Sequence, residues 1–163
     1  KGYSKHEKPQ PLYTVEDVSN TLPALQGYPY KEIIKIHPNI SIQFHDAGHI
    51  LGSSMVELFL EGDKMKKKIV FSGDLGRYNK PILRNPHSIS NADILLVEST
   101  YGNKENPVDN PKKALAEVVN SSFERGGCLL IPAFAVGRTQ TLIFYFKQLI
   151  EEKKIPSVPI FVD

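Results

Sequence analysis

Cysteine is almost missing from this chain of 163 residues: Cys128 stands alone. No internal disulfide can form, and a reducing compartment is the simpler setting. The apolar run Cys128-Leu129-Leu130-Ile131 around it predicts a buried, inert thiol. Long hydrophobic runs are missing too. No stretch approaches the ~20 apolar residues that a membrane span requires, and the opening Lys1-Gly2-Tyr3-Ser4-Lys5-His6 carries no apolar signal core. A cytoplasmic protein without a membrane partner is expected. The initiator Met is absent, which points to a piece of a longer protein. A strong charge of either sign is lacking as well. A net charge of +2 is too small to argue for nucleic acid by itself, because counterion release needs many clustered cations.

What is present is ordinary for a packed globular chain, with 40% apolar and 23% charged residues. The length suits one domain, or parts of two. Residues 1–13 are polar, hold Pro9 and Pro11, and read as an extended surface segment. Thr14-Val15-Glu16-Asp17 then resembles a capping box and predicts a helix over about 15–26, weakened by Pro23. Residues 31–36 and 40–45, separated by Pro38-Asn39, predict one hairpin. A second is predicted from the alternation over 54–60, the turn Glu61-Gly62-Asp63 and the run 68–71. After an irregular stretch, 92–97 is a continuous apolar run, as expected for a strand buried on both faces.

From about residue 103 the pattern changes. Asn110-Pro111 is a helix start, and Ala114, Leu115, Val118, Val119 and Phe123 form an apolar stripe ending at Gly126-Gly127. A strand over 128–131, a helix from Gly137 to about Lys153 with Leu142, Phe146, Leu149 and Ile150 inward, and a strand over 159–162 follow. Alternating strands and helices predict an α/β layer with a parallel sheet.

Three segments place a His or an acid beside glycine at the end of a predicted strand: His45-Asp46-Ala47-Gly48-His49, Ser72-Gly73-Asp74-Leu75-Gly76 and Val97-Glu98-Ser99-Thr100-Tyr101-Gly102. Glycine permits close backbone approach and positive φ, so the neighbouring side chain can be aimed at a ligand. His and carboxylate are the donors of a hydrolytic zinc site with water in an open position. Each segment also has a plainer reading, as a hydrogen-bonded His or a turn-forming Asp.

Taken in order, Asp46-Ala47-Gly48-His49-Ile50-Leu51-Gly52-Ser53, Phe71-Ser72-Gly73-Asp74-Leu75-Gly76 and Glu98-Ser99-Thr100-Tyr101-Gly102 resemble the third and fourth metallo-β-lactamase motifs and motif A of the β-CASP family. That family includes the endonuclease subunit of cleavage and polyadenylation specificity factor and its bacterial and archaeal relatives. Pro11-Leu12-Tyr13-Thr14 and the run Leu130 to Gln140 extend the resemblance over nearly the whole chain. It implies part of a metallo-β-lactamase αββα sandwich over 1–102 and the beginning of a β-CASP α/β domain over 103–163. It also implies a metal-dependent hydrolase acting on single-stranded RNA with two Zn²⁺ in the full-length protein.

By resemblance His49 is a ligand of one zinc, and Asp74 is the carboxylate bridging two. Glu98 is expected to orient and polarise a catalytic His from further down the chain. The motif His-x-His-x-Asp-His, which supplies most zinc ligands in the family, is not in this sequence, nor are the two downstream histidines. The chain thus reads as truncated at both ends, and taken alone it is expected neither to hold zinc tightly nor to cleave RNA. Arg138 and Gln140 open a helix and are candidates for contact with the RNA backbone, or they simply solvate and cap it. His45 is assigned a structural role, and His6, His37 and His87 are expected to be solvated. Lys66, Lys67 and Lys68 read as a charged hairpin turn that a polyanion could also meet. A hydrolase of DNA or a small ester, and a metal-free scaffold subunit, remain alternatives; a homodimer and a place in a processing complex both stay open.

Overall fold

The computed structural model describes residues 11–63, 65–105 and 110–162. His6 and most of the expected N-terminal extended segment lie outside them.

Helix α1 (Val15–Thr21) begins with the expected capping box: the Thr14 hydroxyl accepts from the Asp17 N–H at 3.3 Å, and the Asp17 carboxylate accepts from the Thr14 N–H at 2.7 Å. It ends earlier than expected. Pro23, which has no N–H and restricts the residue before it, sits inside a short 3₁₀ turn over Leu22–Ala24.

Five strands follow: β1 (Ile33–His37), β2 (Ile40–Asp46), β3 (Ser54–Gly62), β4 (Met65–Phe71) and β5 (Ile94–Leu96). They form one mixed sheet in the order β1-β2-β3-β4-β5. Both hairpins form where the alternation predicts them, with Ile34 opposite Ile42 in the first and Leu58 opposite Ile69 in the second. The first three pairings are antiparallel, and β4 and β5 are parallel. This topology makes β2, β4 and β5 run the same way, so their C-terminal ends share one edge of the sheet with the start of β3.

One sheet face carries His45, Met55, Glu57, Lys68 and Val70, as the period of two and the register require. All but Lys68 are buried. The segment around 84–93 crosses this face. Its His87 ring stacks on His45 at 4.7 Å between centroids, and its Asp93 accepts from the Lys68 N–H at 2.8 Å and from the Lys67 ammonium. His87 is exposed, as expected, yet it forms part of this cover.

Helix α2 (Pro111–Glu124) starts at Asn110, whose side chain accepts from the Lys113 N–H at 3.1 Å with Pro111 next in line. Helix α3 (Arg138–Glu151) packs on it through Val119, Phe146, Leu149 and Ile155, with Leu115, Ala116, Leu129 and Ile150 around them. Leu149 is fully buried. The buried side of α2 is set by Leu115, Val119 and Ser122 at helical spacing. Val118 and Phe123, expected in that stripe, are 50% and 56% exposed.

Three further expectations are corrected. Residues 128–131 and 159–162 form no strand, so the second half of the chain has helices without a parallel sheet, and the only parallel pairing among the described residues joins β4 to β5. A strand exists only where a ladder partner accepts its N–H groups. Here both segments instead line a cavity of about 850 Å³ beside α2 and α3, together with Phe123 and Leu142. Cys128 is exposed as well, because its segment has no ladder partner among the described residues. Strand β5 is not buried on both faces: it is the sheet's edge, with Ile94, Leu95 and Leu96 between 48% and 59% exposed.

Candidate active site

The three glycine-flanked motifs leave the ends of β2, β4 and β5, so all three meet at the same sheet edge. Neighbouring loops are joined by backbone groups. The Gly76 N–H donates to the Ala47 carbonyl at 2.8 Å, tying the Asp74 loop to the His49 loop. The approach is so close that a Cβ on Gly76 would lie 1.7 Å from the Gly48 carbonyl oxygen. Only glycine fits there. Gly73, just before Asp74, has φ +54°, and a Cβ on it would sit 2.7 Å from the Ser54 carbonyl oxygen at the start of β3.

Glu98 joins the third loop to the second. One of its oxygens accepts from the Leu75 N–H at 2.7 Å and the other from the Thr100 N–H at 3.3 Å. Its own N–H donates to the Ser72 hydroxyl at 3.0 Å, and that hydroxyl donates to the Gly73 carbonyl. Hydrogen bonds from Thr100, then from Leu75, hold the Glu98 carboxyl below the usual carboxylate range, and the charge of His49 acts in the same direction. Glu98 is therefore ionised at neutral pH and within electrostatic reach of His49. In this chain it is tied to the Asp74 loop through the Leu75 N–H.

The His49 loop is shaped by its own side chains. The Asp46 carboxylate accepts from the Gly48 N–H at 2.8 Å, an Asx turn. The Ser53 hydroxyl accepts from the N–H groups of His49 and Ile50, and the Tyr30 hydroxyl donates to the Ser53 carbonyl at 2.8 Å. Burial, followed by the Asp46 charge, raises the Tyr30 pKa against an opposing effect of Arg84. Ser53, Ser72 and Tyr30 were not singled out from the sequence. Asp46 carried a usable signal, since Asp-x-Gly is the signature of such a turn, whereas the hydroxyl contacts of Tyr30 and Ser72 reach across 23 and 26 positions and leave no local trace.

His49 and Asp74 are both exposed at this edge. An imidazole nitrogen and a carboxylate suit zinc in donor chemistry, but zinc takes three or four protein ligands. Among the described residues no three of His, Cys, Asp and Glu come together to hold a metal ion. The residues present do not make a zinc site by themselves.

His45 does not join His49. It is buried, with Nε2 2.7 Å from a Glu57 oxygen, while the other Glu57 oxygen receives the Lys68 ammonium at 2.7 Å. Burial pushes the Glu57 carboxyl up, yet the hydrogen bonds from Lys68 and His45 outweigh it and hold the group below its ordinary range. Helix α3 starts beside the first loop: a Cβ on Gly137 would stand 3.1 Å from a methyl of Ile50. Gln140 caps that start, its oxygen accepting from the Gly137 N–H at 2.6 Å and its amide donating to the Ala135 carbonyl at 2.9 Å. Arg138 next to Gly137 is exposed.

No protein-family model matches the chain. Individual proteins do. An RNase J-like protein of Methanocaldococcus jannaschii is 33% identical over 93% of this chain. Transcription termination factor FttA of Methanosarcina mazei is 36% identical over 90%, and Ribonuclease TTHA0252 of Thermus thermophilus is 32% identical over 94%. The chain spans 36%, 23% and 34% of their respective lengths.

Proposed function

We propose that this chain, which belongs to the β-CASP family of metallo-β-lactamase-fold RNA nucleases, forms part of an enzyme that hydrolyses phosphodiester bonds in single-stranded RNA. The observation that carries this reading is the meeting of the His49, Asp74 and Glu98 loops at one sheet edge, bound together through Gly76 and Leu75. In this reading residues 1–102 form one part of an αββα sandwich and 103–163 open the β-CASP domain. The complete protein holds two zinc ions, with His49 and Asp74 among their ligands and the remaining ligands supplied outside this chain. Bound zinc would supply Lewis acidity toward the phosphate and an activated water. The role of this chain's residues is to present the two donors at fixed spacing: Glu98 anchors the loop that bears Asp74, and Ser53 with Asp46 shapes the loop that bears His49.

The test uses the complete protein on matched single-stranded RNA and DNA. Asp74→Asn is expected to abolish RNA cleavage, and Glu98→Gln to lower it by about 10- to 100-fold, as loss of a group that orients a ligand does. A fully active Asp74→Asn enzyme would sink the site, and equal cleavage of DNA would sink the choice of RNA.

A further inference from the structure

The turn that carries His49 is held from outside at the three residues before it. The Asp46 carbonyl accepts from the His87 N–H at 2.9 Å, and the Ala47 carbonyl accepts from the Gly76 N–H at 2.8 Å. Gly48, next in line, has φ +64° and no room for a side chain: a Cβ there would lie 2.7 Å from the Arg84 carbonyl oxygen and 2.8 Å from Pro86. Gly76 thus takes Ala47, while the segment crossing the sheet face reaches Asp46 and Gly48.

That segment is pinned at its far end to β4. The Asp93 N–H donates to the Lys68 carbonyl at 2.9 Å, the Asp93 carboxylate accepts from the Lys68 N–H, and the Ser90 carbonyl accepts from the Lys68 ammonium. At the near end the His87 ring lies flat on His45, with centroids 4.7 Å apart and planes 5° from parallel. His45 is 6% exposed and meets Glu57 through Nε2, but its Nδ1 has no hydrogen-bond partner among the described residues. One hydrogen bond fixes a point on a ring and leaves its tilt free, so the stack with His87 sets the plane of His45. Asp46, whose carboxylate makes the turn through the Gly48 N–H, comes next in the chain.

We infer that His87 is a positioning residue: stacked on His45 and bonded to Asp46, it docks the 84–93 segment on the turn and so fixes where His49 stands. Its weight in catalysis rests on the proposed function; its hold on the turn does not. Without the His87 ring the anchor from Gly76 remains, so the turn loosens while the sheet stays paired.

The experiment compares His87→Ala, His87→Phe and Ser88→Ala in the complete protein, where the first removes the ring, the second restores a flat one and the third alters an exposed neighbour. Hydrogen exchange read by mass spectrometry should speed up at residues 46–49 on the order of fivefold in His87→Ala, the scale of one lost stacked pair. It should stay unchanged in β3 and β4. His87→Phe should return to within twofold of the parent, and Ser88→Ala should never leave that range. In RNA cleavage His87→Ala should lower kcat on the order of tenfold with KM within twofold, as a displaced group does, and His87→Phe should recover most of it. Unchanged exchange at 46–49 in His87→Ala would overturn the assignment, as would equal acceleration in β3 and β4 or a Phe variant as impaired as the Ala variant. A loosened turn with unchanged kcat would remove His87 from catalysis. The nuclease reading fails separately, through a fully active Asp74→Asn enzyme, and that result would leave the exchange data standing.

Discussion

The sheet and the α2–α3 layer are held together by different means. In the sheet each strand pairs with the next one in sequence, and one face is organised by a polar network in which half-buried Lys68 meets the buried His45–Glu57 pair. In the helical layer the join is apolar, through Val119, Phe146, Leu149 and Ile155, and the segments beside it have no ladder. The candidate site belongs to the first kind of construction. Its loops are fixed by backbone contacts at the sheet edge, where the missing Cβ of Gly76 permits the close approach, while α3 begins beside the first loop at Gly137. The lesson is that the loop cluster and the apolar helical layer are built by different means, so each is expected to be disturbed without the other.

The largest effect is expected from Gly76→Ala. The added carbon would fall 1.7 Å from the Gly48 oxygen, so the His49 and Asp74 loops must part and the hydrogen bond from Gly76 to Ala47 is lost. A cost above about 3 kcal/mol is expected, the range of severe overpacking against backbone. Amide exchange should speed up at residues 47–49 and at Leu75 and stay unchanged in α2 and α3. Equal acceleration in the helices would break the comparison, because the two parts would then unfold as one.

The next effect sharpens it from the other side. Leu149→Ala empties a fully buried position between α2 and α3 and should cost about 3 kcal/mol. Exchange protection should fall in both helices and persist in β2, β3 and β4. Loss of protection in those strands would show that the helical layer supports the sheet.

The same division governs what was legible in the sequence. Hairpins were readable because period-two alternation and the Pro38-Asn39 turn are local, and their pairing partners are adjacent in the chain. The caps at Thr14 and Asn110 were readable for the same reason. The runs 128–131 and 159–162 announce a wish to be buried but do not name the surface that would bury them, so strands and a buried Cys128 were expected where the structure has neither. At the site, glycine beside His49 and Asp74 was a sound signal because close approach there excludes every other residue. The work of Ser72 and Tyr30 was hidden, since one hydroxyl bonding to a distant backbone group leaves no pattern. The Glu57 network was hidden likewise. An alternating strand shows which face Glu57 takes, but not that Lys68 and His45 meet it there.

That network gives the smallest of the expected effects and the one with a pH signature. Glu57 is ionised in the fold at a pH where the unfolded chain has begun to take up protons, because Lys68 and His45 hold its carboxyl below the ordinary value of 4.5. The stability it contributes is therefore fully present above that value and is lost as pH falls through the lower, folded one. Glu57→Gln keeps the shape, removes the charge that Lys68 faces, and should cost about 2 kcal/mol at neutral pH, the scale of a hydrogen bond to a charged group. It should cost progressively less in acid, so the denaturation curves of variant and parent converge as pH drops. Asp93 and Glu98 are also held low, which leaves the variant with a shallower acid limb and not a flat one. A constant gap at every pH would mean that Glu57 contributes packing alone, and the polar character assigned to the sheet face would have to be given up.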